Sequence, residues 1–177
     1  GTQQDTLYKQ SDLPFDLSEL PNHFTPFRKK VEAANSPITP STLPNGLLPQ
    51  PITLCAKKPI ERITNKGVMH GGLKSAQAHL KQYFAGAMPS TYKTTRNELD
   101  GFNNTTKFST WLAFGCISAK QVYKAVENYE QCNTANESTY WIKFELLWRE
   151  YFKWHALKAG NNLFSFKGQK QTKPLTT

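Results

Sequence analysis

The chain has 177 residues, enough to bury a sizeable core as one domain with an appendage. Hydrophobic residues make up 38%, mean hydropathy is −0.59, and no apolar run of about eighteen residues occurs, so the composition excludes a membrane-spanning helix. A net charge of +9 beside 12% aromatic residues favours a polyanion or planar ligand, with an indifferent basic surface as the plain alternative. The stretch GTQQDTLYKQ has neither the basic nor the apolar region of a signal peptide. Cys55, Cys116 and Cys132 are odd in number and widely spaced, so they read as free thiols in a reducing compartment, cytoplasmic or organellar. The histidines His23, His70, His79 and His155 are scattered, and no metal site is expected.

Residues 1–32 are mixed in character: DTLYKQSDLPFD has the make-up of a strand closing before a turn, and a short helix is expected around Thr25 and Pro26. Over 33–64 the chain becomes Pro-rich, with five prolines in NSPITPSTLPNGLLPQPITL. That density excludes helix and disfavours a central strand, which leaves a linker running over a surface. Over 65–177 helical signals dominate. LKSAQAHLKQYFA places Leu73, Ala76, Leu80 and Phe84 near helical spacing, with a stop at Gly86. MPSTYKTTRNELDGFNN reads as a polar loop, and TTKFSTWLAFG as a short helix halted at Gly115. Ser118 with Gln121 has the capping-box pattern for a helix burying Val122, Ala125, Val126 and Tyr129. The last helix, from about Glu137 to Lys158, puts Trp141, Glu145, Trp148, Phe152 and His155 on one face. The tail KGQKQTKPLTT is basic and expected to fray. The fold beyond the linker reads as all-α.

Three stretches carry chemistry. Thr105, Thr106, Lys107 and Ser109 crowd a helix start with hydroxyl donors and one cation, a combination suited to phosphate; the ordinary alternative is an over-furnished N-cap with a solvent-facing lysine. Tyr92, Lys93, Arg96 and Asn97 precede it, and Arg96 suits bidentate phosphate contact or plain exposure. Glu145 lies among aromatic residues, where a carboxylate needs a partner. Either it pairs with Arg149 four residues on, or it accepts hydrogen bonds from a nucleobase-like ligand beside Trp148. No Ser-His-Asp order and no HExxH motif is present, so hydrolytic chemistry has no support.

Taken in order, GG at Gly71 and Gly72, YKTTRN from Tyr92, TTKFSTWLAFGCIS from Thr105 and ANESTYWIKFELLWREYF from Ala135 resemble the photolyase/cryptochrome family, most closely its cryptochrome DASH branch. TLYKQSDLPF followed by LPNHFTPFRKKVE resembles the junction after that branch's α/β antenna-type domain. The resemblance implies a mainly α fold: residues 1–32 as the junction, 33–64 as an interdomain linker, and 65–177 as the first half of the helical FAD-binding domain.

The implied function is flavin-dependent, light-driven splitting of cyclobutane pyrimidine dimers, in single-stranded DNA. FAD would meet Tyr92, Thr105, Thr106, Lys107, Phe108, Ser109 and Arg149. DNA would meet Arg96, Glu145, Trp148 and Arg149, with Glu145 and Trp148 as the residues at the damaged bases. A folate-type antenna would serve the full-length parent, and no membrane or protein partner is implied. Two departures stand out: Leu73 replaces the acid of the family's Gly-Gly-Glu, and Ile142 stands where some photolyases carry tryptophan. Family members run to several hundred residues, so the chain corresponds to an internal piece that is expected to be inactive alone. The alternatives are a non-catalytic blue-light photoreceptor and a flavin-free helical nucleic-acid binder.

Overall fold

The computed structural model describes residues 6–38, 40 and 69–165. Most of the Pro-rich stretch, Cys55 and the basic tail lie outside the described residues. Six α-helices are formed among the described residues: α1 (Phe24–Ala34), α2 (Leu73–Ala85), α3 (Met88–Thr95), α4 (Ser109–Ala113), α5 (Ala119–Cys132) and α6 (Glu137–Ala159). Cys116 and Cys132 are free thiols.

The long helix α6 is the axis on which α1, α3 and α5 pack. A capping box starts it: Asn136 accepts from the Thr139 backbone N–H at 3.0 Å, and Thr139 Oγ1 accepts from the Asn136 N–H at 3.1 Å. Its buried residues include Ile142, Leu146, Leu147, Tyr151 and Trp154, which span about half of the cylinder, on the side away from the predicted stripe. The predicted stripe is therefore not the core face. Phe152 is 61% exposed, and Trp141, Glu145, Trp148 and His155 are only partly covered.

Helix α1 covers one side of α6, with Phe24 stacked on Trp148 at 3.7 Å and Phe27 against Tyr151 at 5.3 Å. Just before α1, three consecutive carbonyls accept from successive turns of α6: Leu20 from Lys158 at 3.2 Å, Pro21 from His155 at 3.0 Å and Asn22 from Tyr151 at 2.7 Å. Helix α5 opens with the expected box, Ser118 and Gln121 bonding each other's backbone N–H at 3.1 and 2.8 Å. It buries Val122, Val126 and Tyr129, while Ala125 stays partly exposed. A largely covered ion pair, Lys143 to Glu130 at 2.6 Å, joins α5 to α6.

Several local expectations are corrected. No strand forms among the described residues; YKQSDLPF instead holds a 3-10 turn at Gln10–Asp12, followed by another at Leu17–Glu19. The loop expected at MPSTYKTT is helix α3, begun by Pro89 in its first turn and held by the burial of Tyr92. Helix α2 turns Ala76 and Tyr83 inward and leaves Leu73 51% exposed. The helix expected from Thr105 begins only at Ser109, after a turn in which Lys107 takes φ +54. This left-handed conformation suits glycine better than lysine.

The tie that spans most of the sequence among the described residues is a carboxyl group. Glu150 has 0% exposure, and its Oε2 accepts from the Leu7 N–H at 2.8 Å. Its Oε1 accepts from the Tyr8 N–H at 3.2 Å and from Trp154 Nε1 at 2.8 Å. Burial pushes this carboxyl up from its ordinary 4.5, while the two backbone donors, Trp154 and the Arg149 charge pull it back down.

Replacing Glu150 by Ala leaves three donors without acceptors and is expected to cost at least about 3 kcal/mol, read as a fall in the urea midpoint. Because the folded value is raised, the native state keeps a proton that the unfolded chain has already lost. The stability it contributes is full below pH 4.5 and is lost as pH rises through the folded value; Glu150→Gln is expected to flatten that slope. At the turn, Lys107→Gly is expected to be neutral or to stabilise by up to about 1 kcal/mol, whereas Lys107→Val destabilises, both measured by thermal melting.

Candidate functional site

A cavity of about 510 Å³ opens between α6 and the turn that leads into α4. Tyr92 comes from α3; Thr105, Thr106, Lys107, Phe108 and Ser109 from the turn and the start of α4; Val122 from α5; Ile142, Glu145, Leu146 and Arg149 from α6. The volume is that of an ordinary ligand site.

The turn is held from outside, which leaves its polar side chains to the cavity. His79 Nε2 donates to the Thr106 carbonyl at 2.9 Å, and Thr95 Oγ1 donates to the Asn104 carbonyl at 2.8 Å. Phe108 is 2% exposed and packs on His79 and Tyr83 at 5.5 and 5.4 Å. With the backbone so anchored, the hydroxyls of Thr105, Thr106 and Ser109 bond no partner among the described residues. The Lys107 ammonium faces the Phe102 ring at 6.0 Å and meets no carboxylate among them. Helix α4 has five residues, too short for its dipole to matter, so the attraction for an anion comes from side chains.

The opposite wall is α6. At about 100° per residue, Glu145 and Arg149 share one face while Trp148 stands about 60° round the cylinder. The Arg149 guanidinium is half-buried, and burial lowers its pKa with the Glu150 charge opposing; it remains a cation. Ile142 and Leu146 are 3% and 5% exposed and, with Leu112 and Val122, give the cavity an apolar floor.

Glu145 pairs with the Arg96 guanidinium through Oε1, so the partner found for it is across the helix interface on Arg96 and not four residues along on Arg149. Its second oxygen has no hydrogen bond among the described residues. Tyr92 is buried at the edge of this pair. Burial raises its hydroxyl above the ordinary 10.0, the Glu145 charge adds to that, and the neighbouring Arg96 opposes it.

The fold thus gathers Tyr92, Thr105, Thr106, Lys107, Phe108, Ser109, Glu145 and Arg149 around one space. Trp148 and Arg96 do not line it. Trp148 lies on the α1 side, stacked on Phe24 at an interplanar angle of 13°, and Arg96 sits behind Glu145. Sequence reasoning passed over the apolar floor, because Leu112, Val122, Ile142 and Leu146 look like any core residue. It also passed over Glu150, whose signal was available: apolar residues three and four positions before it and four after it.

No family model matches the chain. It is 45% identical over 181 residues to the cryptochrome DASH of Idiomarina loihiensis, covering 99% of this chain and 40% of that protein. The cryptochrome DASH of Danio rerio is 43% identical, with 92% of this chain and 34% of that one covered. A chloroplastic/mitochondrial cryptochrome DASH of Arabidopsis thaliana is 40% identical, with 92% and 30% covered. Among solved structures, a Synechocystis cryptochrome superposes with a TM-score of 0.83 at 39% identity, over 95% of this chain and 37% of that one. The chain spans between 30% and 40% of the length of these relatives. Its helical architecture and its sequence agree on one assignment: the chain belongs to the photolyase/cryptochrome family, on its cryptochrome DASH branch.

Proposed function

We propose that the cavity is one wall of an FAD site, and that the whole protein is a blue-light-driven lyase that splits cyclobutane pyrimidine dimers in single-stranded DNA. The observation that carries this is the convergence of three hydroxyls with no partner among the described residues, the Lys107 ammonium and the Arg149 guanidinium on one apolar-floored cavity. The donor set fits the group. A dinucleotide cofactor brings a diphosphate, which wants cations and hydroxyl donors, and planar rings, which want an apolar floor. The single acid on the wall, Glu145, is offset by Arg96.

Lys107 and Arg149 would hold the diphosphate charge from opposite walls, and Thr105, Thr106 and Ser109 would donate to its oxygens. Tyr92, with its hydroxyl kept protonated by burial, would donate from the α3 side. When bound and reduced, the flavin would supply the electron that opens the dimer and would recover it afterwards. The damaged bases must leave the stack to reach the site. There Glu145, whose side chain is 38% exposed, offers Oε2, the oxygen with no hydrogen bond among the described residues, to a pyrimidine ring N–H. Trp148 enters as the aromatic face for the base, which requires Phe24 to give way from its 3.7 Å stack; Glu145 needs no such movement.

A full-length protein carrying this stretch is expected to purify with flavin absorbance and to restore dimer-containing oligothymidine under blue light when reduced. Lys107→Ala and Arg149→Ala should each weaken FAD about tenfold or more, read by flavin fluorescence titration. Glu145→Gln should keep the flavin and lower repair yield about tenfold. Bound flavin with no repair would defeat the enzymatic assignment in favour of a photoreceptor. A colourless protein with salt-sensitive DNA binding would defeat both.

A further inference from the structure

The resemblance places Arg96 on the DNA-facing surface, a natural place for a phosphate contact. The structure gives its guanidinium two other partners besides the neighbouring Tyr92 hydroxyl. One is the Glu145 carboxylate, reached through Nη1. The other is the Trp141 ring, with the guanidinium carbon 4.4 Å from its centroid. Trp141 is itself braced by Phe144 at 4.5 Å, and the Lys93 ammonium stands 6.0 Å from the same ring.

The backbone places this group firmly. Helix α3 is fastened to the start of α6 at steps of three residues. Asn136 Nδ2 donates to the Ser90 carbonyl at 3.0 Å, and the Lys93 N–H donates to Ser138 Oγ at 3.1 Å. Lys93 Nζ also pairs with Glu137 at 2.7 Å, and Arg96 completes the row. Its own N–H caps α3 on the Tyr92 carbonyl at 3.0 Å. A guanidinium seated between a carboxylate and an aromatic face has its charge largely answered already, and it would forfeit both contacts to reach a phosphate.

Resting on the reading of Glu145 as the residue at the damaged bases, we propose that Arg96 is a positioning residue for Glu145, with Trp141 as its platform, and not a phosphate contact. Arg96 occupies Oε1 and fixes the carboxylate plane, so that Oε2 is presented to the base. The planar guanidinium, laid on Trp141 with one nitrogen on Oε1, is what does this; an ammonium at the same place has the charge and lacks the plane. Arg96 and Trp141 thereby govern selection of dimer over undamaged DNA, while contributing nothing to non-specific affinity.

The test uses the full-length, flavin-loaded protein with two probes, oligothymidine holding one cyclobutane dimer and the same oligomer undamaged, titrated over a range of salt. Arg96→Gln is expected to weaken the dimer complex about tenfold and leave undamaged DNA within about twofold. The slope of log K against log salt should stay unchanged. Arg96→Lys should behave like Arg96→Gln, and Trp141→Leu likewise, while Trp141→Phe restores most of the selectivity. In a Glu145→Gln background, Arg96→Gln should add little. Flavin content monitors folding of each variant, and Arg96→Lys keeps the test decisive if Arg96→Gln fails to fold. The inference is overturned if Arg96→Gln weakens both probes alike and lowers the salt slope by about 0.7, the signature of one lost single-strand phosphate contact. A wild-type protein with no preference for the dimer would overturn the underlying reading of Glu145 itself, a different failure with a different signature.

Discussion

A carboxylate with no solvent exposure fixes the frame of this molecule. Glu150 lies at the inner side of α6 and answers two backbone N–H groups from the N-terminal segment and one indole N–H from its own helix. A buried charge of this kind persists only where its donors are present, so the segment around Leu7 and Tyr8 has one place to go. Once it is there, the carbonyls of Leu20, Pro21 and Asn22 fall against Lys158, His155 and Tyr151, and α1 is laid along the same helix. The N-terminal segment becomes part of the helical core, with Leu7, Leu20 and Phe27 almost fully buried.

That docking decides which faces of α6 remain available. Phe24 of α1 claims Trp148, while α3 claims the helix start through Ser138 and Trp141. The face carrying Glu145 and Arg149 is left opposite the Lys107 turn, and the gap between them is the cavity. The site is thus a consequence of how the other faces are covered. Its chemistry follows from the same placement: hydroxyls and an ammonium on a turn whose backbone is tied elsewhere, facing a guanidinium and a half-paired carboxylate.

The basic character of the chain acquires a location in this arrangement. Several cations are used structurally, as Lys143 is by Glu130 and Lys93 by Glu137. Lys107 has no carboxylate partner among the described residues, and it stands at the cavity. The wall built by this stretch combines hydroxyls and a cation with an apolar floor of Leu112, Val122, Ile142 and Leu146, which is what supports the flavin reading proposed above.

Local chemistry made much of this legible in the sequence. Ser118 with Gln121 announced α5, the 3.6-residue periodicity announced α2 and α6, and the cluster Thr105, Thr106, Lys107 and Ser109 comes to line one cavity, because caps and donor clusters act over a few residues. Tertiary packing decided the rest. Helix α6 is apolar around most of its surface, so its sequence holds no single stripe, and periodicity alone pointed at Glu145 as the buried acid when Glu150 is. The partner of Glu145 lies forty-nine residues away on Arg96, and the two backbone donors of Glu150 lie more than 140 away, separations that no local pattern encodes. Helix α3 likewise looked polar because its single buried face is matched to α6. Sequence by itself determined which cationic and hydroxyl groups this protein has to offer; only the packing of α1, α3 and α6 decided which of them face the same space, since burial and pairing depend on neighbours distant along the chain.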